Sequence, residues 1–119
     1  MKKTLSALGV LIIVGGFLLY FNESKPVPSE PQIKRATLHI EGRRLVLGPP
    51  IFEVKKGDTV TLNITADERD EFHLHGYEKS VDLEAGREGT LTLLADTVGR
   101  FPAELEGSKT EVFFLEVQP

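Results

Sequence analysis

The chain has 119 residues, enough for one compact domain and a short additional segment. It contains no Cys, and its single Met is the first residue. Disulfides, thiolate-bound metals, iron–sulfur clusters and thioether ligands are therefore excluded. The 14 Lys and Arg are outnumbered by 18 Asp and Glu, which gives a net charge of −4. We predict no nucleic-acid partner, because phosphate binding requires clustered positive charge.

The N-terminus carries an uncharged apolar segment, residues 4–21, directly after two lysines. As a helix it reaches roughly 27 Å, close to the ~30 Å hydrocarbon core of a bilayer. A cleavable signal peptide is the alternative, but its apolar region is normally about 7 to 15 residues and ends in a small-x-small site. This segment ends in bulky residues instead, so residues 1–22 are predicted to be a transmembrane helix, an uncleaved membrane anchor or signal. The positive-inside rule then makes the protein a single-pass protein of the cell membrane with a periplasmic or extracellular C-terminal domain.

Residues 23–33 are polar and proline-rich, which predicts a semi-rigid linker. Residues 34–119 contain short runs of β-branched and aromatic residues separated by Gly, Pro and Asp. The clearest run, residues 59–66, alternates strictly, with Val60, Leu62 and Ile64 on one face. We expect seven or eight short strands in this region, which indicates an all-β sandwich or barrel.

Three pieces of sequence, in the same order, resemble the cupredoxin family. They are residues 52–60 (FEVKKGDTV), His75-Gly76-Tyr77 and Gly99-Arg100-Phe101, and the resemblance extends over most of residues 34–117. It implies a cupredoxin-like Greek-key β-sandwich in which His75 stands at a copper-ligand position. Leu105 stands where the family has its copper cysteine, and the following turn lacks the second histidine and the methionine. The type 1 copper electron-transfer function is therefore not expected, and Leu105 is expected to fill the core instead.

The chemistry-bearing segment is Phe72–Tyr77 (FHLHGY). If it is a strand, His73, His75 and Tyr77 project from one face, and two imidazoles can then approach one metal ion. The resemblance places Glu104 and Glu106 on the strand that would carry the copper cysteine, where either carboxylate can supply a third ligand. Imidazole and carboxylate ligands suit Cu(II) or Zn(II), and the affinity order favours copper as the cofactor.

Two interpretations of the His-x-His pair remain open. The pair either binds a metal or consists of ordinary polar residues on a strand face, with Gly76 marking a turn or bulge. The third histidine, His39, is predicted to be a sheet-face residue. We expect no enzyme activity, because there is no Gly-x-Ser-x-Gly motif and no cysteine, and a small sandwich seldom forms a substrate cleft.

Two functions follow. The first is a membrane-anchored cupredoxin-like module that binds Cu(II) or another divalent metal weakly, in metal handling in the cell envelope. The second is a metal-free module that docks on another envelope protein through its acidic surface or an exposed sheet edge.

Overall fold

A computed structural model describes residues 29–119. The predicted anchor over residues 1–22 and the first part of the predicted linker lie outside the described residues. Within residues 29–119 there is no helix that could cross a membrane. These residues form nine strands: β1 (Ile33–Glu41), β2 (Arg44–Leu47), β3 (Ile51–Lys55), β4 (Thr59–Ala66), β5 (Asp70–Leu74), β6 (Lys79–Leu83), β7 (Gly89–Leu94), β8 (Gly99–Leu105) and β9 (Thr110–Gln118).

The strands form two sheets. One sheet has the order β2-β1-β4-β7, and the other, which we call the five-stranded sheet, has the order β3-β9-β8-β5-β6. The pairs β1–β4 and β3–β9 are parallel, so the chain crosses repeatedly between the sheets instead of running as a simple meander. The prediction of an all-β sandwich is confirmed, but the expected count of seven or eight strands is wrong. The count is nine because the short segments β2 and β3 are both strands of the sheets, paired through their main chains with the long strands β1 and β9.

The core lies between the sheets and is built from alternate residues of each long strand. Strand β4 has the predicted bounds, and its inward residues Val60, Leu62 and Ile64 are fully buried. Leu105 is 2% exposed, which confirms its expected place in the core. The largest fully buried side chains are Phe72, Phe113, Leu38, Ile40, Leu62, Ile64, Leu74, Leu83, Leu105, Leu115, Val60 and Val117. Because both sheets and this core are complete within residues 33–118, we expect the domain to fold without the N-terminal segment.

The buried carboxylate of Asp58 connects the start of β1 to the turn between β3 and β4. Its two oxygens accept hydrogen bonds from the backbone N–H groups of Gln32 and Lys55, both at 2.9 Å. These two hydrogen bonds, that from Lys55 first, lower the pKa of Asp58. The contact fixes the end of the sandwich from which the chain enters the domain.

Candidate metal centre

The pairing of β5 with β8 brings the predicted ligands together. In this antiparallel pair Phe72 lies opposite Leu105, and His73 lies opposite Glu104. Because side chains alternate along a strand, Phe72 and Leu105 enter the core while His73 and Glu104 project from the outer face of the five-stranded sheet. Glu106 follows Leu105 and donates its backbone N–H to the carbonyl of Glu71, so β8 stays alongside β5 at this point.

The chain leaves β5 earlier than the sequence predicted. We expected an extended segment through Tyr77, but β5 ends at Leu74 and His75 to Glu78 form a turn. Gly76 allows this turn because its φ is +87°. It also faces the ring of Phe101, and a Cβ at this position would lie 2.8 Å from Phe101 Cε1 and still closer to Cδ1. Gly76 therefore belongs to the turn, as the second interpretation proposed.

Tyr77 does not project beside the histidines, contrary to the expectation from strand alternation. Its ring packs edge-on against Phe101, with centroids 4.7 Å apart, and its hydroxyl donates to the carbonyl of Thr97. The positive φ of Gly76 changes the direction of the chain before Tyr77, so alternation no longer applies. The imidazoles of His73 and His75 nevertheless lie together, with ring centroids 4.3 Å apart.

All four residues selected from the sequence meet on this face. Glu106 Oε1 lies 2.7 Å from His73 Nδ1 and 3.9 Å from His75 Nε2. Glu104 Oε1 lies 3.3 Å from His75 Nε2. One carboxylate oxygen of Glu106 is thus shared between the two imidazoles, and Glu104 approaches the second imidazole from the neighbouring position on the same strand.

The Nε2 atom of His75 has no hydrogen bond although it is buried. Glu104 Oε1 is near enough for an ionic contact, but its direction does not make a hydrogen bond. Buried polar atoms are nearly always hydrogen-bonded, so an unpaired one needs an explanation. An imidazole nitrogen without a hydrogen bond, beside two carboxylates, is a suitable set of donors for a divalent transition metal.

Two further charged residues complete the cluster, Glu78 and Lys109, and neither was predicted from the sequence. Glu78 Oε2 lies 3.2 Å from His73 Nε2, and the ammonium group of Lys109 contacts Glu106 Oε2. Both residues lie in turns, at the ends of β5 and β8, where a charged side chain in the sequence indicates only solvent exposure. The sequence around each turn does not show that the two turns lie close together in the folded domain.

The charges in the cluster shift one another's pKa values. Hydrogen bonds from Lys109 and His73 lower the pKa of Glu106 to about 2. The bond to Glu106 and the contact with Glu78 raise the pKa of His73. The bond to Glu106 likewise raises the pKa of Lys109. Without a metal the cluster is thus a set of ion pairs, in which Glu106 is ionised and available as a ligand.

The distances are compatible with a single bound ion. One ligand atom from each of His73, His75 and Glu106 lies within 4.8 Å of the other two. Two ligands on one Zn(II) or similar ion, each bonded at about 2.0–2.2 Å, are separated by at most about 4.4 Å. A small side-chain adjustment is therefore sufficient. His39 takes no part, since it lies on β1 in the other sheet.

No protein-family model and no curated protein matches the sequence. Solved structures do match. A copper-binding protein in its apo form aligns with a TM-score of 0.62 and 13% identity, over 76% of this chain and 93% of that one. A purple cupredoxin from Nitrosopumilus maritimus aligns with a TM-score of 0.50 and 14% identity, over 71% of this chain and 99% of that one. The domain has the cupredoxin fold. A chain of a heme-copper terminal oxidase dimer aligns with a TM-score of 0.59 and 14% identity, over 98% of this chain and 99% of that one.

This cupredoxin-like domain lacks the ligands of a type 1 copper site, because the chain has no cysteine and no methionine beyond Met1. Its cluster of imidazoles and carboxylates lies on the outer face of the five-stranded sheet, and Leu105 lies on the opposite, inner face. The case for a metal site therefore depends on the imidazoles and carboxylates of this cluster, and not on the ligands of a type 1 copper site.

Proposed function

We propose that this domain binds one divalent metal ion, preferentially Cu(II), through His73, His75 and Glu106. Glu104 is close enough to act as a fourth ligand. The observation that carries the proposal is the buried, unpaired Nε2 of His75 beside the carboxylate oxygens of Glu104 and Glu106. Leaving a buried polar atom without a hydrogen bond costs about 1–3 kcal/mol, and coordination of a metal ion by Nε2 would remove this cost.

The donor set favours Cu(II) over its competitors. Imidazole nitrogen suits Cu(II) and Zn(II), and at equal geometry the affinity order places Cu(II) first. Cu(I) prefers soft thiolate or thioether ligands, and this chain has no cysteine to offer. A bound Cu(II) ion would therefore give a pale complex, without the intense colour that a thiolate ligand produces.

The direct test is calorimetric titration of a soluble fragment beginning at Glu23 with Cu(II) and Zn(II). We expect one equivalent of Cu(II) to bind, and Zn(II) to bind more weakly. The double variant His73→Ala/His75→Ala is expected to abolish the heat of Cu(II) binding. His39→Ala is the matched control, because it removes the third histidine from the other sheet and should leave the titration unchanged.

Electron paramagnetic resonance of the Cu(II) complex supplies an independent readout. Nitrogen hyperfine structure from two imidazoles is expected, and it should disappear in the double variant. Absence of heat at micromolar protein, or equal heat in the double variant, would contradict the proposal.

We also propose that the domain is anchored to the cell membrane. The apolar segment over residues 4–21 supports a single-pass anchor with the domain on the periplasmic or extracellular side, where metal handling in the cell envelope is the corresponding role. Alkaline phosphatase or green fluorescent protein fused to the C-terminus would test this orientation, since each reporter is active on one side of the membrane only.

A metal-free interaction module is the second candidate, and one observation favours it. Strands β2, β3, β6 and β7 are at the edges of the two sheets, and β7 (GTLTLL) is the one without a charged residue. Soluble proteins commonly protect an edge strand with charge, so an uncharged edge favours pairing with another chain. If metal binding fails, loss of partner capture or self-association in Thr92→Lys would support this candidate.

A further inference from the structure

Two turns beside the metal centre contain left-handed residues that are not glycine. Within residues 29–119, positive φ at a residue other than glycine occurs at Arg43 (63°), Glu78 (51°) and Lys109 (55°). A Cβ makes this conformation unfavourable, so glycine or asparagine normally occupies it. Two of the three residues, Glu78 and Lys109, contact the ligands of the proposed site.

Glu78 connects the imidazole of His73 to the turn that follows β5. Its Oε2 lies 3.2 Å from His73 Nε2, and its Oε1 accepts a hydrogen bond of 3.4 Å from the backbone N–H of Gly76. The other ring nitrogen, Nδ1, lies 2.7 Å from Glu106 Oε1. The two nitrogens point to different sides of the ring, and Nδ1 is the one that faces Glu106.

We infer that Glu78 is a positioning residue that selects Nδ1 of His73 as the metal ligand. The inference rests on the proposed function. When a metal replaces the hydrogen that Nδ1 donates to Glu106, the Glu78 carboxylate still accepts the hydrogen of Nε2, so the lone pair of Nδ1 is directed at the metal and the rotation of the ring is fixed. Such a carboxylate partner of a metal-binding histidine typically contributes 10–100-fold to metal affinity, and because the Glu78 side chain is 74% exposed we expect the lower end of this range.

The backbone at Glu78 supports a functional role for its side chain. Glycine would adopt the same φ without strain, so the turn itself does not require glutamate. Strained residues persist where the surrounding structure or a function maintains them. Arg43 offers a matched comparison, because it has the same kind of backbone in the β1–β2 turn of the other sheet. Its ion pair, with Glu68, is long at 3.9 Å.

The experiment compares Glu78→Gly with Arg43→Gly in the soluble fragment beginning at Glu23. Both changes relieve a left-handed residue, so we expect melting temperatures that are equal to or higher than that of the unchanged fragment. Cu(II) affinity measured by calorimetry should fall about tenfold in Glu78→Gly and stay unchanged in Arg43→Gly. A residue with a merely structural role would change stability and affinity together.

Nitrogen-15 NMR of the histidine side chains, with Zn(II) as a diamagnetic probe, reads the ligand atom directly in the unchanged fragment. Zn(II) on Nδ1 of His73 is the expected result, with the hydrogen on Nε2. Zn(II) on Nε2, or a Cu(II) affinity in Glu78→Gly within twofold of the unchanged fragment, would overturn the inference while the proposed function stands. Absence of Cu(II) heat in the unchanged fragment would instead refute the proposed function.

Discussion

The turn at Gly76 controls the positions of His75 and Glu78, so Gly76→Ala is the most informative single change outside the ligands. Two effects oppose an alanine there. A left-handed φ, +87° at Gly76, costs an L-residue about 1–2 kcal/mol. The new Cβ would also lie 2.8 Å from Phe101 Cε1, and overpacking of this kind costs about 1–3 kcal/mol. We therefore expect Gly76→Ala to lower the free energy of unfolding by about 2–5 kcal/mol.

Gly86→Ala separates the two effects. Gly86 also has a left-handed φ, +73°, but a Cβ there would meet no atom within 4 Å. This control should lose only about 1–2 kcal/mol. Both changes replace glycine by alanine, so their effects on the unfolded chain largely cancel in the difference. The difference between the two variants, about 1–3 kcal/mol, is then the steric cost against Phe101.

Urea denaturation followed by circular dichroism measures both free energies, and a Cu(II) titration of each variant reports on the site. Gly76→Ala should weaken Cu(II) binding, because the clash of the new Cβ with the ring of Phe101 is expected to displace the turn that carries His75. Gly86→Ala should bind Cu(II) normally. Equal destabilisation of the two variants would refute the steric argument, and unchanged Cu(II) affinity in Gly76→Ala would refute the link between the turn and the site.

Three further predictions concern pH and the core. Cu(II) competes with the proton on His73, and the hydrogen bond to Glu106 raises the pKa of His73. The Cu(II) affinity measured by calorimetry should therefore rise as the pH rises through that pKa. Below that pKa the affinity should fall about tenfold for each pH unit. Because the pKa of Glu106 is lowered to about 2, the ionised carboxylate stabilises the fold above pH 4.5, and this contribution is lost as the pH falls toward 2. The melting temperature measured as a function of pH should therefore fall more steeply in the unchanged fragment than in Glu106→Gln. Leu105→Ala should cost about 2–5 kcal/mol in urea denaturation, because Leu105 is 2% exposed in the core, and a cost below 1 kcal/mol would contradict this placement.

The strands were predictable where alternation is strong and both faces have a clear role. Strand β4 shows this, because its apolar residues recur at every second position from Val60 to Ile64. The end of β5 was not predictable in the same way. The sequence FHLHGY continues the alternation, but the φ of Gly76 and the ring of Phe101 end the strand at Leu74. Phe101 lies 25 positions after Gly76 in the chain, so the sequence around β5 does not show where this strand ends.

The four residues chosen for the site, His73, His75, Glu104 and Glu106, come together in the structure, and metal binding by them stays a prediction. The choice of His73 and His75 needed only their spacing. The choice of Glu104 and Glu106 depended on the family resemblance, which supplied the pairing of β8 with β5. Glu78 and Lys109 were not predicted, because the local sequence of a charged residue in a turn does not show whether its side chain is solvated or contacts a metal-binding residue.

The sequence by itself determined the donor types and the apolar periodicity. With no cysteine and no methionine beyond the first residue, a soft copper site was excluded before any fold was known. The tertiary structure alone decided which donors face one another, because the register of β5 against β8 sets His73 opposite Glu104 and the turn at Gly76 brings His75 over Glu106. The physical reason is distance along the chain: alternation and turn propensity act over a few residues, whereas the contacts of the site join residues about 30 positions apart.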